Sequence, residues 1–209
     1  MKLELLKTKL NRAGVAGLCL ITAGLAAFEA NAKDKLKVGF SQVGAESSWR
    51  TAETKSIQDE AAKRGVKLKF SDAQGKQENQ FKAIRSFIAQ DVDAIILAPK
   101  VETGWEQVLK EAKQAKIPVV LVDRGINVPD DSLYATLIAS DFVAEGRLAG
   151  DWLAKKTGGK AMIIELEGSP GAAPAIDRKK GFAESIATHP AMKIIAAQSK
   201  ASAVHPVST

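Results

Sequence analysis

At 209 residues with 45 % hydrophobic side chains, the chain is long enough to bury a sizeable core and to hold one or two domains. Its net charge of +6 comes from lysines and arginines interleaved with acids, as in Glu60, Lys63, Arg64 and Glu111, Lys113, Lys116; no basic stripe with aromatics appears, which argues against a nucleic-acid partner. The single cysteine, Cys19, excludes an internal disulfide and a cysteine metal site.

The first 32 residues read as a secretory signal. Lys2, Lys7, Lys9 and Arg12 form a basic start, Ala13 to Phe28 is apolar, and Ala30-Asn31-Ala32 is a small-x-small cleavage pattern. A membrane anchor fits less well, because the apolar run is shorter than the ~20 residues a span needs. Leu18 before Cys19 argues against a lipoprotein signal. A cleaved, periplasmic chain beginning at Lys33 is expected.

Leu36, Val38 and Phe40 alternate as a strand, and Gly39 leaves room for close packing. The strand runs into a polar turn with Gly44, Glu46, Ser47, Ser48, Trp49 and Arg50, whose hydroxyls can cap a helix predicted over Ala52 to Arg64. In open α/β sheets ligands bind beyond the carboxyl ends of strands. This turn offers a carboxylate, hydroxyls, an indole and a guanidinium at such a place, a set suited to a polyhydroxylated molecule.

The alternation continues. Val66 to Phe70 is a strand; Glu78 to Gln90 is a helix with Phe81, Ile84, Phe87 and Ile88 on one face; Ala94 to Ala98 is an apolar strand stopped by Pro99. Trp105 to Ala115 is a helix, and Val119 to Val122 a strand ending in Asp123-Arg124. Tyr134 to Ala139 is a strand, Val143 to Lys156 a helix, Met162 to Leu166 a strand, Ala175 to Ile186 a helix and Lys193 to Gln198 a strand. Alternating β and α segments of these lengths imply an α/β fold with parallel sheets and right-handed crossovers. Beyond Lys200 the periodicity fails, and the second βαβ unit is left incomplete.

Asp123-Arg124 sits at a strand end as the first turn does, so both segments face one crevice if the switch-point rule holds; the bland alternative is a surface ion pair. Trp49 is either a core plug or a stacking platform, and Ser48 and Arg50 beside it favour the platform. Trp105 and Trp152 read as core. Arg178, with Lys179 and Lys180, reads as an exposed charge cluster on residue types alone. His189 and His205 lack partners at metal-ligand spacing. Phosphate-loop and G-x-S-x-G signatures are absent. Glu165 and Glu167 share one side of a strand without an opposing carboxylate, so no enzyme, metal or cofactor is expected.

The segments VGFSQVGAESSWRTAET, DAQGKQENQFKAIR, FIAQDVDAIILAP, TGWEQVLKEAK, IPVVLVDR, GDWL and AIDRKKGFAE together resemble the ribose-type periplasmic sugar-binding family, from about Leu36 to Ser199. The resemblance implies a periplasmic-binding-protein-like α/β fold: two Rossmann-like lobes, the first over 33–139, a partial second over 140–200, and a divergent tail over 201–209. It implies a monomer that holds a monosaccharide, galactofuranose or a related sugar, in an interlobe cleft and delivers it to an ABC transporter permease. Family contacts fall on Glu46, Ser47, Ser48, Trp49, Arg50, Asp123 and Arg124, and the second-lobe arginine falls on Arg178. Trp49 would then stack on the sugar ring, and Glu46 with Arg50 would take an exocyclic diol. The family continues past Ser199, so truncation, weak or absent sugar binding and poor stability are expected. The alternatives are a non-functional fragment and a sugar-sensing, receptor-docking component. A transcription regulator is disfavoured, since a signal stands where a helix-turn-helix would precede Leu36.

Overall fold

The computed structural model describes residues 35–199. The expected signal over 1–32, with its cleavage point before Lys33, and the tail over 201–209 with His205 lie outside the described residues. A five-stranded sheet is built from β1 (Lys37–Gln42), β2 (Lys67–Asp72), β3 (Ala94–Leu97), β4 (Val119–Val122) and β5 (Thr136–Ile138). The spatial order is β2-β1-β3-β4-β5, and all pairs are parallel. Helices α1 (Ser48–Lys63), α2 (Gln77–Ala89) and α3 (Glu106–Gln114) alternate with the first four strands.

β1 is buried continuously from Val38 to Gln42 rather than on alternate residues. A parallel strand inside the sheet has helices over both faces, so the two-residue alternation expected from Leu36, Val38 and Phe40 gives way; Leu36 itself precedes the strand and is half exposed. Gly39 serves the packing as expected: a Cβ there would stand 2.5 Å from the Phe87 ring of α2. The core cluster joins Ile84, Phe87, Ile95, Leu97, Leu109 and Leu121. Trp105, just before α3, is fully buried, meets Phe81 edge-on and donates its indole N–H to the Val101 carbonyl at 2.7 Å.

Helix α1 starts at Ser48, not at Ala52. The Ser47 hydroxyl accepts from the Arg50 N–H at 3.2 Å, and an N-cap there draws Ser48, Trp49 and Arg50 out of the expected turn into the first helical turn. Before β5, Asp130 caps a short 3-10 turn over Asp131–Leu133, shortening the strand expected from Tyr134.

Helix α4 (Phe142–Thr157), capped by Asp141 and closed by Gly158 at φ 63°, leads to β6 (Lys160–Glu167), α5 (Ala173–Ile186) and β7 (Ala191–Ser199). β6 and β7 form a separate two-stranded parallel sheet, with a register shift between Ile163 and Ile164. α4 and α5 touch through glycines: a Cβ on Gly146 would lie 2.1 Å from the Arg178 carbonyl oxygen, and one on Gly181 would lie 1.9 Å from that of Val143. Ala154, Ile163, Ile186 and Met192 form a small core.

One apolar expectation is corrected. Trp152 is 61 % exposed, because α4 spends its buried positions on Phe142, Gly146, Gly150 and Ala154 and turns Trp152 outward. On β6, Met162 and Leu166 are each 81 % exposed, since among the described residues nothing covers that side of the sheet. No helix of the described residues is long and apolar enough to cross a membrane.

Candidate functional site

β3 separates β1 from β4, so the carboxyl ends of β1 and β4 lie about 10 Å apart, two strand spacings. That gap is bridged by side chains. From the start of α1, Arg50 reaches across to the end of β4, where its Nη2 donates to Asp123 Oδ2 at 2.6 Å. Its Nη1 donates to Glu53 Oε2, also at 2.6 Å. The Arg50 side chain is only 4 % exposed, which makes this a buried ion pair on both prongs of the guanidinium fork.

Asp123 is held in a costly backbone conformation. The Arg124 N–H donates to the Val122 carbonyl at 2.7 Å, closing a three-residue turn about Asp123, whose φ is +64°. A non-glycine residue there stores on the order of 1–3 kcal/mol and persists only where neighbours over-determine it. The neighbours are on hand: the Asp123 N–H donates to the Ile138 carbonyl at 2.8 Å, and Arg50 fastens its carboxylate.

Arg124 completes the group. Its Nη2 stands 3.3 Å from Glu46 Oε1, its Nη1 donates to the Lys100 carbonyl at 3.4 Å, and its Nε lies 3.4 Å from Asp123 Oδ2. Glu46 also lies 3.6 Å from Arg50 Nε. Electrostatics separate the two arginines. Burial works against the charge of Arg50, but the hydrogen bond and field of Asp123 and the field of Glu53 outweigh it and raise its pKa. For Arg124, burial comes first and the like charge of Arg50 second; Asp123 and Glu46 offset only part, and its pKa is lowered. Among the described residues, the buried Nε atoms of both arginines and the Ser41 hydroxyl find no hydrogen-bond partner, each Nε having only a carboxylate oxygen at 3.4–3.6 Å. Buried donors without acceptors are uncommon.

Two cavities open on this region. One, of about 330 Å³, lies between the turn from Val43 to Glu46, Gln74-Gly75, Lys100 and Ser169-Pro170. The other, of about 750 Å³, runs from Arg124 along β6 and between α4 and α5, with Glu145, Arg178 and Lys179 on its wall. Arg178 and Arg124 thus line one cavity. Arg178 is positioned by α5: its Nε donates to Glu145 at 2.7 Å, and its guanidinium lies 4.5 Å over the Phe142 ring.

The expected residues therefore divide. Glu46, Arg50, Asp123 and Arg124 form one cluster, and Arg178 shares a cavity with Arg124. Ser47 spends its hydroxyl on the helix cap. Trp49 is 56 % exposed, with the Arg50 guanidinium 4.9 Å over its ring, and neither it nor Ser48 lines either cavity. Glu53, Gln42 and Lys100 were not anticipated. Glu53 follows Arg50 by three residues, a helical neighbour that becomes visible as a partner once α1 begins at Ser48. Among the described residues no group of three or more His, Cys, Asp or Glu is placed to hold a metal.

Backbone hydrogen bonds join the loops beside the site, one of them between the segments of the two sheets. The Glu102 N–H donates to the Gly171 carbonyl at 2.9 Å, and the Asn127 N–H donates to the Glu102 carbonyl at 2.8 Å. Burial, and then the nearby Asp177, raise the pKa of the Glu102 carboxyl.

A parallel α/β chain with two sheets, a linked crossing and a charge-lined crevice beyond its strand ends has the open-sheet arrangement in which ligands are bound at strand ends. The chain belongs to the periplasmic binding protein domain family, whose model matches residues 38–205. It is 61 % identical over 165 residues to the galactofuranose-binding protein YtfQ of Escherichia coli (strain K12), covering 78 % of this chain and 52 % of that protein. The crystal structure of a galactofuranose binding protein superposes with a TM-score of 0.76 at 61 % identity, over 78 % of this chain and 56 % of the other. The periplasmic binding protein of the arabinose ABC transporter from Shewanella sp. ANA-3, bound to α- and β-L-arabinofuranose, superposes with a TM-score of 0.75 at 62 % identity, over 78 % and 54 %. The chain spans about half the length of the curated relatives it matches.

Proposed function

We propose that this chain is the sugar-binding part of a periplasmic solute-binding component of an ABC importer, and that its ligand is galactofuranose or a related furanose. The carrying observation is Arg124, a buried cation with incomplete compensation on the wall of the larger cavity, whose Nε finds no hydrogen-bond partner among the described residues. A sugar hydroxyl accepting from Arg124 and donating to Asp123 or Glu46 answers both deficits without adding charge. Arg178 supplies a second fork from the α5 side of the same cavity, and the two sheets are the cores of two lobes that meet over the ligand. Similarity to proteins described as binding galactofuranose and arabinofuranose supports a five-membered ring. The protein binds and releases its sugar unchanged, acts as a monomer, and hands the ligand to a membrane permease.

The test is thermal unfolding of the chain with and without millimolar galactofuranose, arabinofuranose, galactopyranose and ribose. A ligand at about a hundred times its Kd adds about 2.7 kcal/mol, a rise of several degrees in Tm for a domain of this size. A rise with furanoses alone is expected, in place of the weak or absent binding expected from sequence. An equal response to every sugar, or none to any, overturns the proposal.

A further inference from the structure

We propose that Glu53, oriented by Gln42, is a positioning residue of the sugar site: it fixes Arg50 so that Arg50 presents Asp123 to the ligand. The proposal rests on the sugar-binding reading above. It begins from a run of hydrogen bonds whose direction is set at every step. The Val43 N–H donates to Gln42 Oε1 at 2.9 Å, which determines which end of the fully buried Gln42 amide is oxygen. Gln42 Nε2 therefore donates, to Glu53 Oε2 and to Thr54 Oγ1, each at 3.0 Å. Thr54 in turn donates its hydroxyl to the Arg50 carbonyl at 3.0 Å, so its oxygen is available to accept. Glu53 Oε2 takes Arg50 Nη1, and Nη2 is left to take Asp123 Oδ2.

The consequence is that the backbone of β1 dictates the plane of the Arg50 guanidinium, and that plane dictates the carboxylate of Asp123. One N–H on each terminal nitrogen of Arg50 is engaged within the protein, and its side chain is almost wholly buried, so Glu53 fixes the guanidinium and, through it, the carboxylate of Asp123. Asp123 offers Oδ2 to Arg50, and among the described residues no donor is placed on its Oδ1. Without Glu53, Arg50 would lose one prong and its full claim on Asp123, whose backbone is already in an unfavourable conformation.

The experiment measures galactofuranose Kd by calorimetry, well below Tm, for the full chain and for Glu53→Gln, Asp123→Asn and the double variant. Loss of a charge-assisted contact should weaken binding roughly tenfold or more in each single variant. Because both act through the same carboxylate, the double variant should match Asp123→Asn within about twofold. A Glu53→Gln variant whose Tm falls while its Kd stays within about twofold of the parent, or losses that multiply, overturn the proposal. A second readout needs no sugar. Nitrogen NMR of the Arg50 Nη groups should show separate, slowly exchanging signals in the parent that average in Glu53→Gln; unaltered signals overturn the proposal whether or not sugar binds. If the parent chain takes no furanose, the functional reading falls alone and these signals still decide the positioning role. Should Glu53→Gln fail to fold, Gln42→Met removes the orienting amide and is read by the same signals.

Discussion

Asp123 shows what the site costs a single residue. Its φ of +64° is a conformation that glycine adopts freely, yet glycine would remove one of the two close partners of a cation that is 4 % exposed. The two effects have opposite signs and unequal sizes. Relief of the turn is worth about 1–3 kcal/mol, whereas breaking a buried ion pair from one side costs about 3–5 kcal/mol. Asp123→Gly should therefore lower stability by about 2 kcal/mol in urea unfolding, the midpoint of a balance that spans roughly 0–4 kcal/mol. A variant more stable than the parent would mean that Arg50 finds another partner. Sequence reasoning singled out Asp123 and Arg50 from residue type and strand-end position, but their mutual pairing depends on α1 beginning at Ser48, a boundary set by one serine hydroxyl.

At the scale of elements, the alternation of strands and helices was legible throughout the described chain, because apolar periodicity and glycine or proline punctuation mark each segment. Three things were not. Continuous burial of β1 depends on strand order, which brings β2 and β3 to its two edges from distant positions. The outward turn of Trp152 depends on α4 meeting α5 through Gly146 and Gly150, and hydrophobicity alone does not distinguish that face from its opposite. The crossing at Glu102 and Gly171 was invisible too, since it is made by backbone atoms. It carries a pH dependence. The Glu102 pKa is raised in the folded state by burial and by Asp177, so the folded chain holds that proton more tightly than the unfolded one. The group's favourable contribution is complete below its unfolded pKa and is lost as pH rises through its folded pKa. Glu102→Gln should remove that loss: relative to the parent, its Tm should gain as pH rises from about 4 to 7, the window above the ordinary glutamate value. Parallel Tm profiles for the two proteins would show that Glu102 does not titrate in this way.

For the whole molecule, the two sheets differ in how fully they are covered. The five-stranded sheet has a continuous core, while β6 and β7 have covering helices on one side and show Met162, Ile164 and Leu166 on the other. A two-stranded sheet is marginal without additional packing, and bare apolar surface of this kind binds hydrophobic dyes. The full chain should enhance the fluorescence of anilinonaphthalene sulfonate under native conditions, and the double substitution Ile164→Lys and Leu166→Lys should abolish most of the signal. An unchanged signal in that variant would place the dye site elsewhere.

The glycines between α4 and α5 give the molecule a different kind of vulnerability. At Gly146 and Gly181 every coded change adds at least one carbon where a neighbour's carbonyl oxygen already stands within about 2 Å of it. In a saturation scan those positions would tolerate no replacement, while Leu148 and Trp152, large and on the same stretch of helix, would accept many. Side-chain size is then a poor guide to which codons of α4 are constrained: the smallest residues hold the least freedom to drift.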